Sequence, residues 1–165
     1  MTVEWRGKYI EIRREGTWEY AARTRDIGAA VVIALTDAAE IVLVEQHRVP
    51  LGTRTIELPA GLIADLTEGE TAADSAAREL EEETGFTAAS LDDLGEYATS
   101  PGMSAERFQL FRATGLTRTG PGGGVPGEDI TVHVVPLAEL KTWLDARRAD
   151  GLVIDCRLIV ALGFV

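Results

Sequence analysis

Four glutamates crowd the end of a segment that reads as a helix, in the stretch RELEEETGF from Arg78 to Phe86. Gly85 predicts the end of that helix, so Glu79, Glu82 and Glu83 lie at its C-terminus, where the helix dipole disfavours negative charge. Glu79 and Glu83 also repel each other one turn apart. Hard oxygen donors on one side of a helix suit Mg²⁺ or Mn²⁺, and a bound ion would offset both penalties.

A solvated acidic face is the competing interpretation of the same residues, because runs of charge usually mark protein surface. The helix is predicted from about Thr71 to Thr84, where Thr71 and Asp74 can form a capping box. Its apolar stripe comprises Ala73, Ala76, Ala77 and Leu80. One face of the helix is therefore expected to pack against the core, while the other carries the carboxylates. The helix sequence alone does not decide whether these carboxylates form a metal site or a solvated surface.

The elements that must position this helix alternate between strands and helices. Period-2 patterns on either side of Glu15 and Gly16 predict a β-hairpin within residues 1–24. Further strands are predicted in GAAVVIAL, EIVLVEQHRV, TIELPAG, LGEYATS, RFQLFRAT and DITVHVVPL, and the TIELPAG strand is expected to end at Pro59 and Gly61. LAELKTWLDARR and RLIVALGF close the chain as helices. The pattern predicts a single α/β or α+β domain over residues 1–165.

Composition narrows the classes of function. The chain has 165 residues, of which 45% are hydrophobic and 26% are charged, as expected of one globular domain. Its formal net charge of −11 argues against a nucleic-acid surface, although a phosphate compound can still bind through cations. No apolar run is long enough to span a membrane. We therefore expect a cytoplasmic chain with a small-molecule partner, and no nucleic acid or membrane.

The glycine-rich segment GPGGGVPGED, residues 120–129, does not fit a phosphate-binding P-loop. It lacks the Gly-Lys-Ser/Thr ending, and it leads into a strand rather than a helix. We interpret it as a mobile loop that carries Glu128 and Asp129 on a hinged arm.

From Gly61 to Phe86 the sequence resembles the Nudix box of the Nudix hydrolases, whose pattern is G-x5-E-x7-R-E-U-x-E-E-x-G-U, with U an apolar residue. Every position from Glu70 onward fits this pattern. Eight residues, instead of five, separate Gly61 from Glu70, a surplus that a surface loop tolerates at small entropic cost. So many fixed positions favour the metal site over the solvated surface.

Segments outside the box resemble the ADP-ribose pyrophosphatase branch of the family. They include EQHRVPLGTRTIELPAGLI before the box and SPGMSAERFQLF after it, where Pro101 lies sixteen residues past Gly85. The resemblance implies the Nudix fold, an α/β/α sandwich with a mixed sheet. It also implies that the small N-terminal hairpin, residues 1–24, is a dimerisation element of a homodimer.

The resemblance implies roles for individual residues of the box. The groups that would hold the Mg²⁺ ions are the backbone carbonyl of Ala60 and the carboxylates of Glu79, Glu82 and Glu83. Arg78 would keep the acids in place by pairing with Glu70. The general base in this branch comes from the loop before a late strand, which implies Glu128 here. Glu82, within the box, is the alternative base.

On the substrate side the resemblance implies that Arg48 contacts the phosphates. The loop implied to form the wall of the substrate site contributes Ser100, Met103 and Glu106. Trp18 and Tyr20 alternate along the N-terminal hairpin and share a face, so they either stack on a base, across a dimer, or pack in a core or an interface.

The implied function is Mg²⁺-dependent hydrolysis of ADP-ribose, or of a related nucleoside diphosphate sugar, to a nucleoside monophosphate and a sugar phosphate. GDP-mannose, ADP-glucose and oxidised nucleotides are the alternative substrates. A Nudix domain that only senses ligands is the alternative of a different class. Such sensors usually have an eroded box, whereas the box of this chain is complete from Glu70 onward.

Overall fold

The computed structural model describes residues 1–65 and 69–165, and strands predominate in this part of the chain. The strands are β1 (Thr2–Arg6), β2 (Ile10–Glu15), β3 (Trp18–Arg23), β4 (Ala29–Leu35), β5 (Glu40–Arg48), β6 (Thr53–Glu57), β7 (Ala60–Leu62), β8 (Phe86–Ala98), β9 (Arg107–Arg118), β10 (Ile130–Pro136) and β11 (Val153–Ile154). The helices are α1 (Ala72–Thr84), α2 (Leu140–Ala149) and α3 (Cys156–Ala161), and a 3-10 turn spans Val49–Leu51.

The main sheet is mixed and is centred on β4. Its strands follow the order β11-β6-β5-β4-β9-β8, while β10 also pairs with β5 and β7 with β4. The β4–β9 and β11–β6 pairs are parallel and the other pairs are antiparallel. All but the last residue of β4 are buried, as expected for a strand covered on both faces.

Side chains alternate along β4 and divide the core into two layers. Val31 and Ile33 pack on the side of α2 and α3, with Leu140 and Leu158 from those helices. The opposite face packs against α1 through another set of residues, which includes Ala30, Val32, Ala76 and Leu80. The sheet therefore lies between helices, which confirms the predicted α/β/α sandwich.

A separate three-stranded antiparallel sheet precedes this domain core. Strands β2 and β3 form the predicted hairpin, and Glu15 pairs with Trp18 across its turn. The sequence reading missed β1, which pairs with β2 and is exposed along its whole length. Ala21 joins this sheet to the body, because its N–H donates to Met103 O and its carbonyl accepts from Ala105 N, both at 2.9 Å.

The region between β6 and α1 differs from the prediction at one point. TIELPAG was expected to end as a strand at Pro59 and Gly61, but the chain resumes as β7 and pairs with β4 instead of β5. This change of partner leads the backbone of Ala60 towards α1. Of the surplus residues predicted between Gly61 and Glu70, residues 66–68 lie outside the described part of the chain.

Among the described residues, no helix is both long and apolar enough to cross a bilayer.

Candidate active site

Helix α1 positions the clustered acids because both of its ends are capped and one face is buried. Thr71 Oγ1 accepts from Asp74 N at 3.1 Å and Asp74 Oδ2 accepts from Thr71 N at 3.2 Å, so the predicted capping box is formed. Leu80 is fully buried against the sheet. Gly85 ends the helix in the left-handed conformation, with φ 72°. The carboxylates are therefore carried by a helix that packing holds in one orientation.

Glu83 is the most buried of these acids, with only 5% of its surface exposed. Its Oε2 accepts from Ala60 N at 3.0 Å, which ties the last turn of α1 to β7. Burial raises the pKa of Glu83 to about 8, with smaller raising contributions from Glu79 and Glu128. Burial likewise raises the pKa of Glu79. The site thus contains buried Glu83 and half-buried Glu79, in surroundings that favour the neutral form of each acid.

Arg78 gathers three acids around one guanidinium group. Its Nε donates to Glu70 Oε1 at 3.0 Å, and its Nη1 donates to Glu79 at 2.8 Å and to Glu82 at 3.0 Å. Ser75 Oγ donates to the other oxygen of Glu70 at 2.8 Å. The bond from Arg78 lowers the pKa of Glu70, so that acid stays ionised as a partner of the arginine. Arg78 is thus hydrogen-bonded to Glu70, Glu79 and Glu82 at the same time.

Gly61 lets the carboxylate of Glu79 approach the backbone of β7. A methyl group built on Gly61 would overlap the side chain of Glu79. A side chain at this position would therefore displace the acid, which gives the first glycine of the box a steric reason.

The glycine-rich segment docks on the C-terminus of α1. Gly124 N donates to Glu82 O at 3.0 Å and Gly123 N donates to Glu83 O at 2.8 Å. Gly122, at φ 71°, leaves no room for a side chain beside Thr84. These bonds satisfy helix carbonyls that would otherwise have no partner. The first part of the segment, expected to be a mobile arm, is anchored in this structure.

This docking brings Glu128 to the carboxylate cluster. Glu128 Oε2 accepts from Val125 N at 3.0 Å, and its charge contributes to the raised pKa of both Glu79 and Glu83. Asp129 points elsewhere, because its carboxylate accepts from Arg54 Nη1 at 2.5 Å and 79% of its side chain is exposed. Of the two neighbouring acids, the structure places Glu128 at the site.

The oxygen donors of this site are of the kind that a divalent cation prefers. Glu79, Glu83 and the carbonyl of Ala60 offer hard oxygen atoms, and the pKa values of the two acids are raised by burial and, to a smaller extent, by neighbouring negative charge that a cation would offset. Among the described residues, no group of three acidic, histidine or cysteine side chains is already arranged around one point. Glu79 and Glu82 are instead turned towards Arg78, so binding of an ion would redirect these two side chains.

A cavity of about 570 Å³ opens beside β7 and contains Ala60 and Gly61 in its wall. Arg48 lines it, as the substrate-side prediction requires, and Glu106 lines it while accepting from Arg23 Nη2 at 2.5 Å. Sequence reasoning missed the other charged residues of this wall, which are Arg23, Glu57, Asp155 and Arg157. Their signal was weak, since each is an isolated charge at or near the end of a short strand.

A second cavity, of about 600 Å³, separates the N-terminal sheet from the loop that follows β8. Trp18, Tyr20 and Glu106 line it, and Trp18 is 62% exposed. Within the described chain, the predicted residues Ser100 and Met103 do not line either cavity. Ser100 O accepts from Met103 N at 2.9 Å, so these two residues flank a turn whose Pro101 and Gly102 line the second cavity.

The geometry agrees with the comparisons with known proteins. A family model described as NUDIX domain matches residues 26–154. A methanol dehydrogenase activator of Bacillus methanolicus is 36% identical over 143 residues, which cover 86% of this chain and 73% of that protein. An ADP-ribose pyrophosphatase of Bacillus subtilis is 43% identical over 54% of this chain, and one of Mycobacterium tuberculosis is 39% identical over 68%. The matches span about half the length of these two pyrophosphatases, 47% and 54%.

The fold has a counterpart among solved structures. The crystal structure of an ADP compounds hydrolase superposes with a TM-score of 0.69 at 22% sequence identity, covering 87% of this chain and 80% of that one. At 22% identity, this similarity shows that the two chains share a fold and nothing more.

Proposed function

Since the chain belongs to the Nudix hydrolase family, we propose that it hydrolyses the diphosphate of a nucleoside diphosphate sugar, with ADP-ribose the first candidate. The observation that carries the proposal is the combination of buried Glu83 and half-buried Glu79 on α1 with a large cavity lined by arginines. A diphosphate sugar requires both features, because its phosphates must be held and their charge screened.

The metal site of the proposal comprises Glu79, Glu83 and the carbonyl of Ala60, with Glu82 as a further ligand or as an orienting group. Mg²⁺ is the proposed ion, and Mn²⁺ is a substitute of similar ligand preference. When bound, such an ion screens the diphosphate and polarises its phosphoryl oxygens. Arg78 holds Glu70, Glu79 and Glu82 in a connected network from which the ligands are drawn.

The chain's own residues supply the proton transfer and the orientation of the substrate. Glu128 accepts a proton from the attacking water as the water oxygen bonds to phosphorus. The bond between that phosphorus and the bridging oxygen breaks, which gives a nucleoside monophosphate and a sugar phosphate. Arg48 donates hydrogen bonds to phosphate oxygens, while Trp18 and Glu106 face the region open to the base or the sugar.

A panel of nucleoside diphosphate sugars tests the proposal. The panel contains ADP-ribose, ADP-glucose and GDP-mannose, with an oxidised nucleoside triphosphate alongside them, and each is assayed with Mg²⁺ and again with excess EDTA. Release of phosphatase-sensitive product from ADP-ribose, abolished by EDTA, is the expected result. Full turnover in EDTA would refute the metal site. Binding of these compounds without turnover would identify a ligand sensor instead.

We also propose a homodimer assembled through the N-terminal sheet. Its support is the apolar surface that this small sheet exposes, which comprises Val3, Trp5, Tyr9, Ile10 and Trp18. Sedimentation should give a dimer, and deletion of residues 1–24 should give an inactive or poorly soluble chain. A fully active monomer would defeat this proposal.

We also propose that the protein is cytoplasmic. Its single cysteine is free, which fits that location.

A further inference from the structure

Glu57, at the end of β6, joins two arginines that lie far apart in the sequence. Arg48 donates to it through Nε at 2.6 Å and through Nη2 at 2.7 Å, and Arg157 Nη2 donates at 3.0 Å. Only 2% of the Glu57 side chain is exposed. A buried carboxylate with charged partners on both oxygens is a rigid support, because moving either partner would leave its charge unpaired.

Arg157 is fixed from a second direction by the start of α3. Asp155 caps that helix, accepting from Arg157 N at 2.7 Å through one oxygen, and its other oxygen accepts from Arg157 Nε at 2.9 Å. The guanidinium group is thus held by its own helix and by β6 at once. Little side-chain freedom remains to be lost when a ligand binds to it.

Both arginines have N–H donors that their carboxylate partners do not use. Their bonds to Glu57 and Asp155 use Nε and Nη2, and no described residue accepts a hydrogen bond from Nη1 of Arg48 or Arg157. Both residues line the cavity of about 570 Å³ whose wall contains Ala60 and Gly61. The unused groups are N–H donors, so a ligand that bridges them must accept hydrogen bonds.

Arg48 lies near both Glu83 of α1 and Arg157. Hydrogen bonding to Glu57 chiefly raises the pKa of Arg48, while Glu83 raises it and Arg157 lowers it by smaller amounts, so both are within electrostatic reach. Arg48 and Arg157 are balanced by Glu57 and Asp155, so the network persists without a ligand. An anion in the cavity would meet the fixed guanidinium groups and also the wall of Ala60 and Gly61, which contact the α1 carboxylates of the proposed cation site.

We propose that Arg157 contacts the substrate, and that it forms with Arg48 a two-guanidinium clamp for diphosphate oxygens that the cation leaves free. Glu57 is the positioning residue of this clamp. Phosphate oxygens only accept, and a planar guanidinium matches their geometry. The assignment deepens the proposed function and depends on it for the identity of the substrate, although the clamp itself would bind any diphosphate.

Three variants at Arg157 and Glu57 test the clamp against a matched control. Arg157→Gln should raise the KM for ADP-ribose about 10- to 100-fold, the loss expected for hydrogen bonds to a charged group, with kcat within about threefold. Arg157→Lys should recover only part of the loss, because a lysine keeps the charge without the fork. Glu57→Gln should raise KM in the same direction. Arg148→Gln changes an exposed arginine of α2 that pairs with Asp145 and lines neither cavity, so it should leave KM unchanged.

A binding measurement separates this inference from the proposed function. Inorganic pyrophosphate with Mg²⁺ should raise the melting temperature of the wild type and of Arg148→Gln, and should raise that of Arg157→Gln much less. This result would support the clamp even if no sugar substrate were hydrolysed. An equal shift in folded Arg157→Gln, or an unchanged KM, would overturn the assignment. If Arg157→Gln does not fold, Arg157→Lys decides by the same two measurements.

Discussion

The two ends of helix α1 are held by different means. At the N-terminus, Thr71 and Asp74 bond reciprocally to each other's backbone N–H groups, all within one turn. At the C-terminus, the carbonyls of Glu82 and Glu83 accept from glycines of the segment between β9 and β10. The first end is secured by neighbours in sequence alone, whereas the second combines the local cap of Gly85 with bonds from a segment remote in sequence.

This difference between the two ends of α1 separates residues that stabilise the helix from residues that take part in the proposed reaction. The N-terminal end follows the rules of helix capping, with an acid where the dipole favours it. The C-terminal end carries acids where the dipole disfavours them, and it depends on a remote loop to satisfy its carbonyls. A local rule broken at considerable cost is typical of a functional site. We therefore expect changes at the C-terminal end to affect catalysis first, and changes at the N-terminal end to affect only stability.

Glu83→Gln should have the largest effect. The variant keeps an acceptor for Ala60 N but lacks the charge that a cation requires. We expect kcat to fall roughly 10²- to 10⁴-fold, the several kcal/mol that metal-assisted charge stabilisation supplies. Steady-state kinetics with Mg²⁺ measure the loss, and thermal melting verifies that the fold is intact. Rates near those of the wild type would remove Glu83 from the metal site.

The same variant gives a pH signature in metal-free buffer. Burial raises the pKa of folded Glu83 to about 8 from the ordinary value of 4.5, so the folded state keeps a proton that the unfolded state releases. This contribution to stability is present below pH 4.5 and is lost as pH rises towards 8. The melting temperature of the wild type should therefore fall more between pH 5 and 8 than that of Glu83→Gln. Parallel curves would show that the acid is not held in its neutral form.

Glu128→Gln should have the next largest effect. The loop that caps α1 also presents this residue, so the variant separates proton transfer from the docking of the loop. We expect kcat to fall about 10²-fold with KM nearly unchanged and with a flattened acidic limb of the pH–rate profile. Asp129→Asn is the control, and its activity should stay within a few-fold, because Asp129 is bonded to Arg54 at the surface. A crippling effect of Asp129→Asn would reverse the assignment, and two active variants would leave Glu82 as the base.

The same contrast between local and remote contacts explains which features could be predicted from the sequence. The capping box, the stop at Gly85 and the acids of the box were predictable, because each is encoded within a few residues. The partner switch of β7 and the docking of glycines 122–124 were not, since they depend on strands and loops remote in sequence. Arg157 was missed for that reason too: only the parallel pairing of β11 with β6 brings it beside Glu57. Strand β1 was missed although Val3 and Trp5 alternate with polar residues, and its pairing with β2 is interrupted by a bulge between these two positions.

Gly122→Ala should uncouple the loop from the helix. At φ 71° a side chain is strained, and the added methyl group would collide with the backbone of Thr84. Strain of this kind costs about 1–3 kcal/mol. We expect the melting temperature to fall by several degrees and kcat to fall with it, because Glu128 loses its placement. Gly120→Ala is the matched control: its Cβ meets nothing within 4 Å, so its kinetics and melting should resemble the wild type. Equal effects of Gly122→Ala and Gly120→Ala would show that activity and stability do not depend on the docking of this loop on α1.

Thr71→Ala should have the smallest effect, and it tests the other half of the comparison. Removing the hydroxyl leaves Asp74 N without its acceptor, which typically costs about 1 kcal/mol. In a domain of this size the melting temperature should fall by about 2–4 °C. Both kcat and KM should remain those of the wild type, because Glu83 is fixed at the opposite end by Ala60 and the glycine segment. Thr71→Ser keeps the acceptor and should restore the melting temperature. A fall in kcat for Thr71→Ala well below its melting temperature would mean that the capping box also positions the carboxylates, so that stability and chemistry are not divided between the two ends of α1.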